Sequence, residues 1–467
     1  MKFKLNKVGL IDHAEIELKS LTIICGENNT GKTYVTYALY GFLRSWRSIL
    51  QDVLRNRIEE RLKTGETPHI DLNQLFSGKI NEYLTQLTKI YTSILPRVFA
   101  ANAGFFSAST IVIKIDNERD FIPENYHRSI KDSPAGKTLA TLSKEAGSPL
   151  LKVLVADDEL VSRPFGGLTD FVSDAIADIV FAPYLPDTFI ASAERTGAAI
   201  FRKELDFART RMFQALGSLD AKELRNPFRL MEQMEAGYAW PVQDNVDFVR
   251  QLEDIDKITS SLAESHPELT KAFDAIIGGS YKVIKDKGLV YQPKGADKPR
   301  LSMSESSSSV RALLDIGFYL RCRAKAGDLL MIDEPELNLH PKNQRALARL
   351  IARLVNVGIK VFMTTHSDYL IKELNTLIML NTRTPHTQAV QQAHGYENDE
   401  LLDPARVCLF MTCTQNEKRE GKGNRAKRNT LRQAKIHTDF GIEVETFDTT
   451  IEDMNGIQSE ILYGGDL

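Results

Sequence analysis

The chain has 467 residues, 42% of them apolar and 26% charged, with a net charge of −3 at pH 7. That balance reads as an ordinary soluble chain long enough for about two or three domains and a large core. It excludes a membrane span, because no apolar run approaches the ~20 residues required, and it excludes capture of a polyanion by the global field, so a nucleic-acid or acidic partner would need a local patch.

In chain order, residues 1–30 read as β-structure: Phe3 and Leu5, then Ile11, Ala14, Ile16 and Leu18, give short alternating runs broken at Gly9 and Asp12. The N-terminus has no signal-peptide apolar core, which points to the cytoplasm. The apolar run Leu21–Cys25 leads into Gly26-Glu27-Asn28-Asn29-Thr30-Gly31-Lys32-Thr33, and a helical pattern follows from Tyr34 to Phe42. Strand, glycine-bounded loop and helix form the context of a phosphate-binding P-loop. Such a loop wraps a polyphosphate with its own N–H groups, so side chains at Gly26 and Gly31 would obstruct it. The helix turns its positive end to the anion, Lys32 reaches the β- and γ-phosphates, and the Thr33 hydroxyl holds Mg²⁺. A nucleoside triphosphate is therefore the expected ligand.

The helical pattern continues to residue 62. From Asp71 to Ala100 the apolar residues fall three and four apart, predicting one amphipathic helix that ends near Pro96. Residues 109–116 and 150–156 read as strands, with polar Asn117–Gly147 as a loop between them. Ile176–Tyr184 and Thr188–Ala193 have strand-like composition. Residues 197–277 read as mostly helical, with Asn245–Leu262 as one face of a bundle, and Pro267 starts a helix that stops at Gly278-Gly279. Tyr281–Ile284 and Leu289–Gln292 predict a hairpin. The four cysteines, Cys25, Cys322, Cys408 and Cys413, lack paired zinc spacing and read as reduced thiols.

Leu329-Leu330-Met331-Ile332 is an apolar run ending in Asp333 and Glu334, as a buried parallel strand would. Asp333 at its carboxyl end would bind Mg²⁺, and Glu334 would polarise an attacking water as general base. Val361–Thr365 reads as a second such strand, tipped by His366 and Ser367, which places His366 at a γ-phosphate. Ser302–Ser309 precedes a helix predicted over Val310–Arg323. It reads either as a serine linker with an N-cap or as a second anion site at a helix N-terminus.

This order of P-loop, serine-rich segment before a helix, Asp333-Glu334-Pro335-Glu336, Leu339-His340-Pro341 and Thr365-His366-Ser367 resembles the ABC-type ATPases of the OLD-like and SMC-like branch, over residues 1–45, 185–200 and 280–380. The resemblance implies an α/β fold: an ABC-type P-loop ATPase head with a mixed sheet and a large, mostly helical insertion. The head would comprise 1–49, 181–200 and 280–400. Residues 50–180 and 201–279 would form the insertion and a helical lobe or short arm, and 401–467 a C-terminal strand/helix extension. It further implies ATP and Mg²⁺ as ligands, hydrolysis of ATP to ADP and phosphate, and a homodimer that sandwiches the nucleotides. Residues 26–33 would bind ATP, with Thr33 and Asp333 on the metal and Lys32, Glu334 and His366 catalytic. Ser307, Ser308 and Ser309 would act in trans on the γ-phosphate held by the other head. Leu337 and Asn338 would lie in the D-loop, and His366 would be the switch histidine. Ser309 stands where OLD-like members often carry glycine, which would loosen the approach to phosphate. Ser192-Ala193-Glu194-Arg195-Thr196-Gly197 resembles the "PAER" element of the same branch and reads either as a helix-start ion pair or as an element with a catalytic or coupling role.

Arg406–Thr412 reads as a strand. Lys418, Arg419, Lys422, Arg425, Lys427, Arg428, Arg432 and Lys435 then make a basic segment, either a solvated loop or an anion-binding patch for nucleic acid or an acidic protein. Asp448, Glu452 and Asp453 read as a helix start, not as nuclease ligands. A head of this size without a nuclease resembles the ATPase subunits of PARIS anti-phage systems. That resemblance implies higher-order oligomers such as hexamers built from dimers, control of a separate Toprim-type effector nuclease, and release on sensing a phage anti-restriction protein, often an acidic DNA mimic. The other reading is an SMC/OLD-like DNA-repair or recombination ATPase, with DNA as partner and stimulant.

Overall fold

In the computed structural model, which describes residues 1–467 apart from 63–68, 117–123, 132–135, 157–166, 201–236, 285–287, 296–297, 419–424, 444–453 and 462–467, a mixed sheet of nine strands carries the chain's motifs. Its strands are β1 (Lys2–Val8), β2 (Ile11–Glu17), β3 (Leu21–Cys25), β5 (Thr110–Lys114), β9 (Thr188–Ala191), β13 (Leu329–Asp333), β14 (Lys360–Thr365), β15 (Val407–Lys418) and β16 (Arg425–Gln433). Their order is β5-β1-β2-β16-β15-β3-β14-β13-β9. From β15 to β9 neighbouring strands are parallel, whereas β5, β1 and β2 are antiparallel. Strand β16 joins the halves: it is antiparallel to β15 and meets β2 in parallel at Thr430 and His13.

Alternate residues of the parallel strands feed two cores on opposite faces, as a period of two requires. Ile23, Leu330, Ile332, Val361, Met363 and Leu409 enter one core; Ile24, Leu329, Met331, Phe362, Cys408 and Phe410 enter the other. Burial on both faces explains why β3, β13 and β14 read as unbroken apolar runs. Helix α1 (Lys32–Leu62) covers the second face with Val35, Leu39, Phe42, Trp46, Ile49, Leu50, Leu54 and Ile58. The hairpin β10 (Gly279–Ile284) and β11 (Gly288–Pro293) forms as expected and is extended by β12 (Leu301–Ser302).

Several expectations need correction. The single helix over 71–100 is instead the strand β4 (His69–Asp71) and the helices Leu72–Phe76, Ile80–Ser93 and Leu95–Val98. Asp71 caps the first through Gln74 N–H at 3.1 Å, and Gly78, at φ +69°, breaks the chain before the second. The polar stretch after 117 is not all loop: β6 (Tyr126–Lys131) and β7 (Thr138–Lys144) pair with each other, and with β8 (Leu150–Val155) and β4 they complete a four-stranded sheet. Only one face of that sheet is buried, by residues such as Ala140, Leu142, Leu151 and Val153, so its strands carry polar residues. Residues 168–181 are helical, ending in a π-type turn over Ala177–Phe181. Burial nearly all round gave that segment a strand-like composition, a case periodicity cannot resolve. Asn245–Leu262 splits between the helices Trp240–Arg250, Leu252–Ile255 and Ser261–Ser265. The helix expected over 310–323 divides at Leu313 into Ser308–Ala312 and Leu314–Cys322. Strand β15 lies inside the sheet, hydrogen-bonded to the P-loop strand β3. Arg419, Lys422, Asp448, Glu452 and Asp453 lie outside the described residues. No helix among the described residues is long and apolar enough to cross a membrane.

Candidate active site

Register sets the site. Cys25 of β3 lies opposite Thr365 of β14, and Thr364 lies opposite Asp333 of β13. The carboxyl ends of these three strands are therefore level, and the loops at 26–31, 334–340 and 366–367 leave side by side. Open parallel sheets bind ligands in the crevice beyond those ends.

In the P-loop, Gly26 and Gly31 take φ of +137° and +102°, which L side chains avoid. Their lack of a side chain also serves the packing behind the loop. A Cβ on Gly26 would lie 2.0 Å from Thr412 Oγ1 on β15, and one on Gly31 would lie 2.7 Å from Ile11 Cδ1 on β2. Lys32 is buried and its ammonium donates to the Gly26 and Glu27 carbonyls at 3.0 and 2.7 Å. Burial lowers its pKa below that of an ordinary lysine, against the pull of Glu334 and Asp333. Glu27, Asn28, Asn29 and Thr33 are exposed on the open side of the loop.

Asp333 is buried at the end of β13 and accepts a hydrogen bond from Thr364 Oγ1. Burial pushes its carboxyl up to about 6, with Thr364 pulling the other way. Glu334 follows in a left-handed conformation, φ +52°, a strain of about 1–2 kcal/mol for a non-glycine residue. Its N–H donates to the carbonyl and the hydroxyl of Thr364, each at 3.2 Å, and its Oε1 lies 3.5 Å from His366 Nε2. His366, then burial working against it, sets the Glu334 pKa, which lies below the usual glutamate value. Glu336 accepts the His366 N–H at 2.6 Å, while its other carboxylate oxygen is buried without a hydrogen-bond partner. Burial raises the Glu336 pKa. Gln344 links the loop to the switch: its Nε2 donates to Leu339 O at 2.8 Å and its Oε1 accepts the Ser367 hydroxyl at 2.5 Å. Asn338, at φ +59°, is exposed at the turn between them.

Arg195 is bonded to the backbone. It is 1% exposed, and its guanidinium donates to four backbone carbonyls: Ala312 at 2.7 Å, Ser192 at 2.8 Å, Asp333 at 2.6 Å and Glu334 at 2.7 Å. It is a staple between the end of β9, the end of β13 and the helix that follows the serine segment. Asp315 is buried nearby, its carboxyl pushed up to about 6 by burial against the pull of Arg195. Asn245 fixes the end of β9 through Ser192 N–H at 2.7 Å, and Tyr37 of α1 donates to Glu194 at 2.9 Å.

The serine segment is closed on itself: Ser306 Oγ donates to Met303 O at 2.8 Å, and Arg311 donates to the carbonyls of Met303 and Ser306. Ser307 caps the five-residue helix Ser308–Ala312 through Val310 N–H at 3.4 Å, and Ser307 Oγ lies 2.9 Å from Ser309 Oγ. Ser307 and Ser308 are exposed and Ser309 half-buried. Thus Lys32, Thr33, Asp333, Glu334 and His366 share one crevice, and the Arg195 staple joins the serine-bearing helix to it.

Sequence reasoning missed Thr364, Thr412, Gln344 and Asn245. Hydroxyls ending apolar strands, in Phe362-Met363-Thr364 and Phe410-Met411-Thr412, were the available signal for the first two.

The donors fit Mg²⁺, which takes one or two carboxylates together with phosphate oxygens and water rather than an all-protein cage. An exposed Thr33 hydroxyl and the Asp333 carboxylate supply that set, and no cluster of three or more His, Cys, Asp or Glu occurs among the described residues.

A family model described as an AAA ATPase domain matches residues 208–371, roughly a third of the chain, including the serine segment, Asp333-Glu334 and His366 but not the P-loop. No curated protein matches the chain. Among solved structures, it is similar to an SMC head bound to the C-winged helix domain of ScpA, at 13% identity, covering 92% of this chain and 97% of that one with a TM-score of 0.33. It is also similar to an SMC head domain with an extended coiled coil bound to the C-terminal domain of ScpA derived from Pyrococcus furiosus (12% identity, 98% of each chain, TM-score 0.33). A third is the SMC head domain from Thermotoga maritima (7% identity, 93% of this chain and 98% of that one, TM-score 0.31).

Proposed function

We propose that this chain is an ATP-binding and ATP-hydrolysing head that closes on a second copy of itself. The observation that carries this reading is the level convergence of the P-loop, Asp333-Glu334 and His366 on adjacent parallel strands. Loop N–H groups and Lys32 bind and orient the β- and γ-phosphates. Thr33 and Asp333 hold Mg²⁺, which when bound neutralises charge on the phosphate oxygens. Glu334, ionised and aimed by its backbone conformation, accepts the proton of the attacking water. His366 orients that carboxylate and contacts the γ-phosphate. Ser307, Ser308 and Ser309 complete the opposite nucleotide in trans, with Leu337 and Asn338 at the contact between copies. Light scattering of Glu334→Gln in ATP tests the closure: a dimer that needs ATP supports it, and a monomer at every ATP concentration contradicts it.

In the cell, the head serves as the sensor and scaffold of an anti-phage defence system, holding a separate Toprim-type nuclease by ATP-dependent assembly and releasing it on contact with a phage anti-restriction protein. Support comes from the motif order and from the resemblance to PARIS ATPase subunits. Purification in ATP, after expression with the neighbouring genes, should bring down a nuclease in a large assembly. A second reading, a DNA-stimulated repair ATPase, is favoured by the exposed Lys427, Arg428, Arg432 and Lys435 on and after β16. It requires ATP turnover that rises with DNA and DNA affinity that falls steeply with salt.

A further inference from the structure

Strand β15 pairs with β3 as far as Met411 opposite Cys25, so Thr412 is the first residue beyond that pairing and stands behind the P-loop. It is 6% exposed, and its hydroxyl lies 2.6 Å from Thr30 Oγ1 and 3.4 Å from the Cys25 carbonyl. The proton of Thr30 goes to the Glu27 carbonyl at 2.7 Å. The Thr412 hydroxyl therefore donates to Thr30, the nearer of its two acceptors. The Glu27 carbonyl also accepts the Lys32 ammonium at 2.7 Å. A chain of hydrogen bonds thus runs from Thr412 through Thr30 to the carbonyl that holds Lys32. The same hydroxyl occupies the space a side chain on Gly26 would need, 2.0 Å from that Cβ position. Loop and strand are 382 residues apart in sequence at this contact.

We propose that Thr412 is a positioning residue of the P-loop: its hydroxyl fixes the curvature of residues 26–31 and the resting place of Lys32 from the back of the loop. It touches no phosphate and acts through Thr30. The choice of ATP as ligand rests on the function proposed above; the loop contact itself does not.

The test compares the full chain with Thr412→Val, which keeps the shape and deletes the hydroxyl, and with Thr412→Ser, which keeps the hydroxyl. Binding of a fluorescent ATP analogue should weaken about 3- to 10-fold in Thr412→Val, the effect of one lost hydrogen bond, and return to within about twofold in Thr412→Ser. In turnover assays the loss should fall on KM with kcat little changed, because the loop holds ground and transition state alike. Amide exchange across residues 26–33, measured without nucleotide, should rise several-fold in Thr412→Val only. Equal exchange and equal affinity in Thr412→Val and the unsubstituted chain would overturn the proposal, whatever happens to the melting temperature. If the unsubstituted chain binds no ATP while exchange still responds to Thr412→Val, the nucleotide reading fails and the positioning role stands.

Discussion

The strand ends and the serine segment, the two regions assigned above to phosphate, are held in different ways. Asp333, Glu334 and His366 sit at or just beyond the ends of hydrogen-bonded parallel strands, so sheet register fixes their spacing, and the P-loop leaves the end of β3 level with them. Ser307, Ser308 and Ser309 sit at the start of a short helix that is joined to the strand ends by the Arg195 fork and anchored in the core by Val310. A catalytic centre built on strands is set once the core forms. Ser307 and Ser308, exposed at the start of that short helix and outside the register of the sheet, suit a group that must meet a second copy.

That difference can be broken at either end. Glu334→Gln acts on the sheet-held side. ATP turnover should fall by about 10²–10⁴-fold while binding and folding stability persist, read from phosphate release and denaturant melts; unchanged turnover would remove Glu334 as the base. Arg195→Met removes the guanidinium donors from the carbonyls of Ala312, Asp333, Ser192 and Glu334, of which the last two keep a backbone N–H, from residue 195 and from Leu337. A loss of about 3–5 kcal/mol in urea unfolding is expected. Arg195→Lys should recover little of it, since an ammonium lacks the planar fork.

Asp315 sharpens the comparison through pH. Its carboxyl stands at about 6 against 3.8 in an unfolded chain, because burial penalises the charge. The folded state therefore binds this proton more tightly, and the stability it contributes is full below pH 4 and lost as pH rises through 6. Relative to Asp315→Asn, the unsubstituted chain should lose on the order of 2–3 kcal/mol between pH 4 and pH 7. Parallel pH profiles for the two would contradict that placement. The smallest effect belongs to the tethered helix: Ser307→Ala removes a cap worth about 1 kcal/mol and should lower the melting temperature slightly.

The same contrast governs what the sequence made legible. The P-loop, Asp333-Glu334 and Thr365-His366 announce themselves because each is a short apolar run ended by the residues its chemistry requires. The mixed α/β sheet was implied by the family resemblance those motifs carry. Arg195 was visible as a segment, but not as a staple, since its partners are carbonyls up to 139 positions away. Thr412 shows locally only as a hydroxyl ending an apolar run, for its role arises when β15 inserts beside β3. The strands β6 and β7 were read as loop because a sheet with one wet face lacks the apolar density that marks β3 and β13.

The measurement that bears most directly on the central claim is ATP binding by the full chain in Mg²⁺, by titration calorimetry, beside Lys32→Ala. The account predicts binding at one site per chain that Lys32→Ala weakens by more than about tenfold, the loss of a charge-assisted contact. Absence of binding, or equal binding by both proteins, would contradict it.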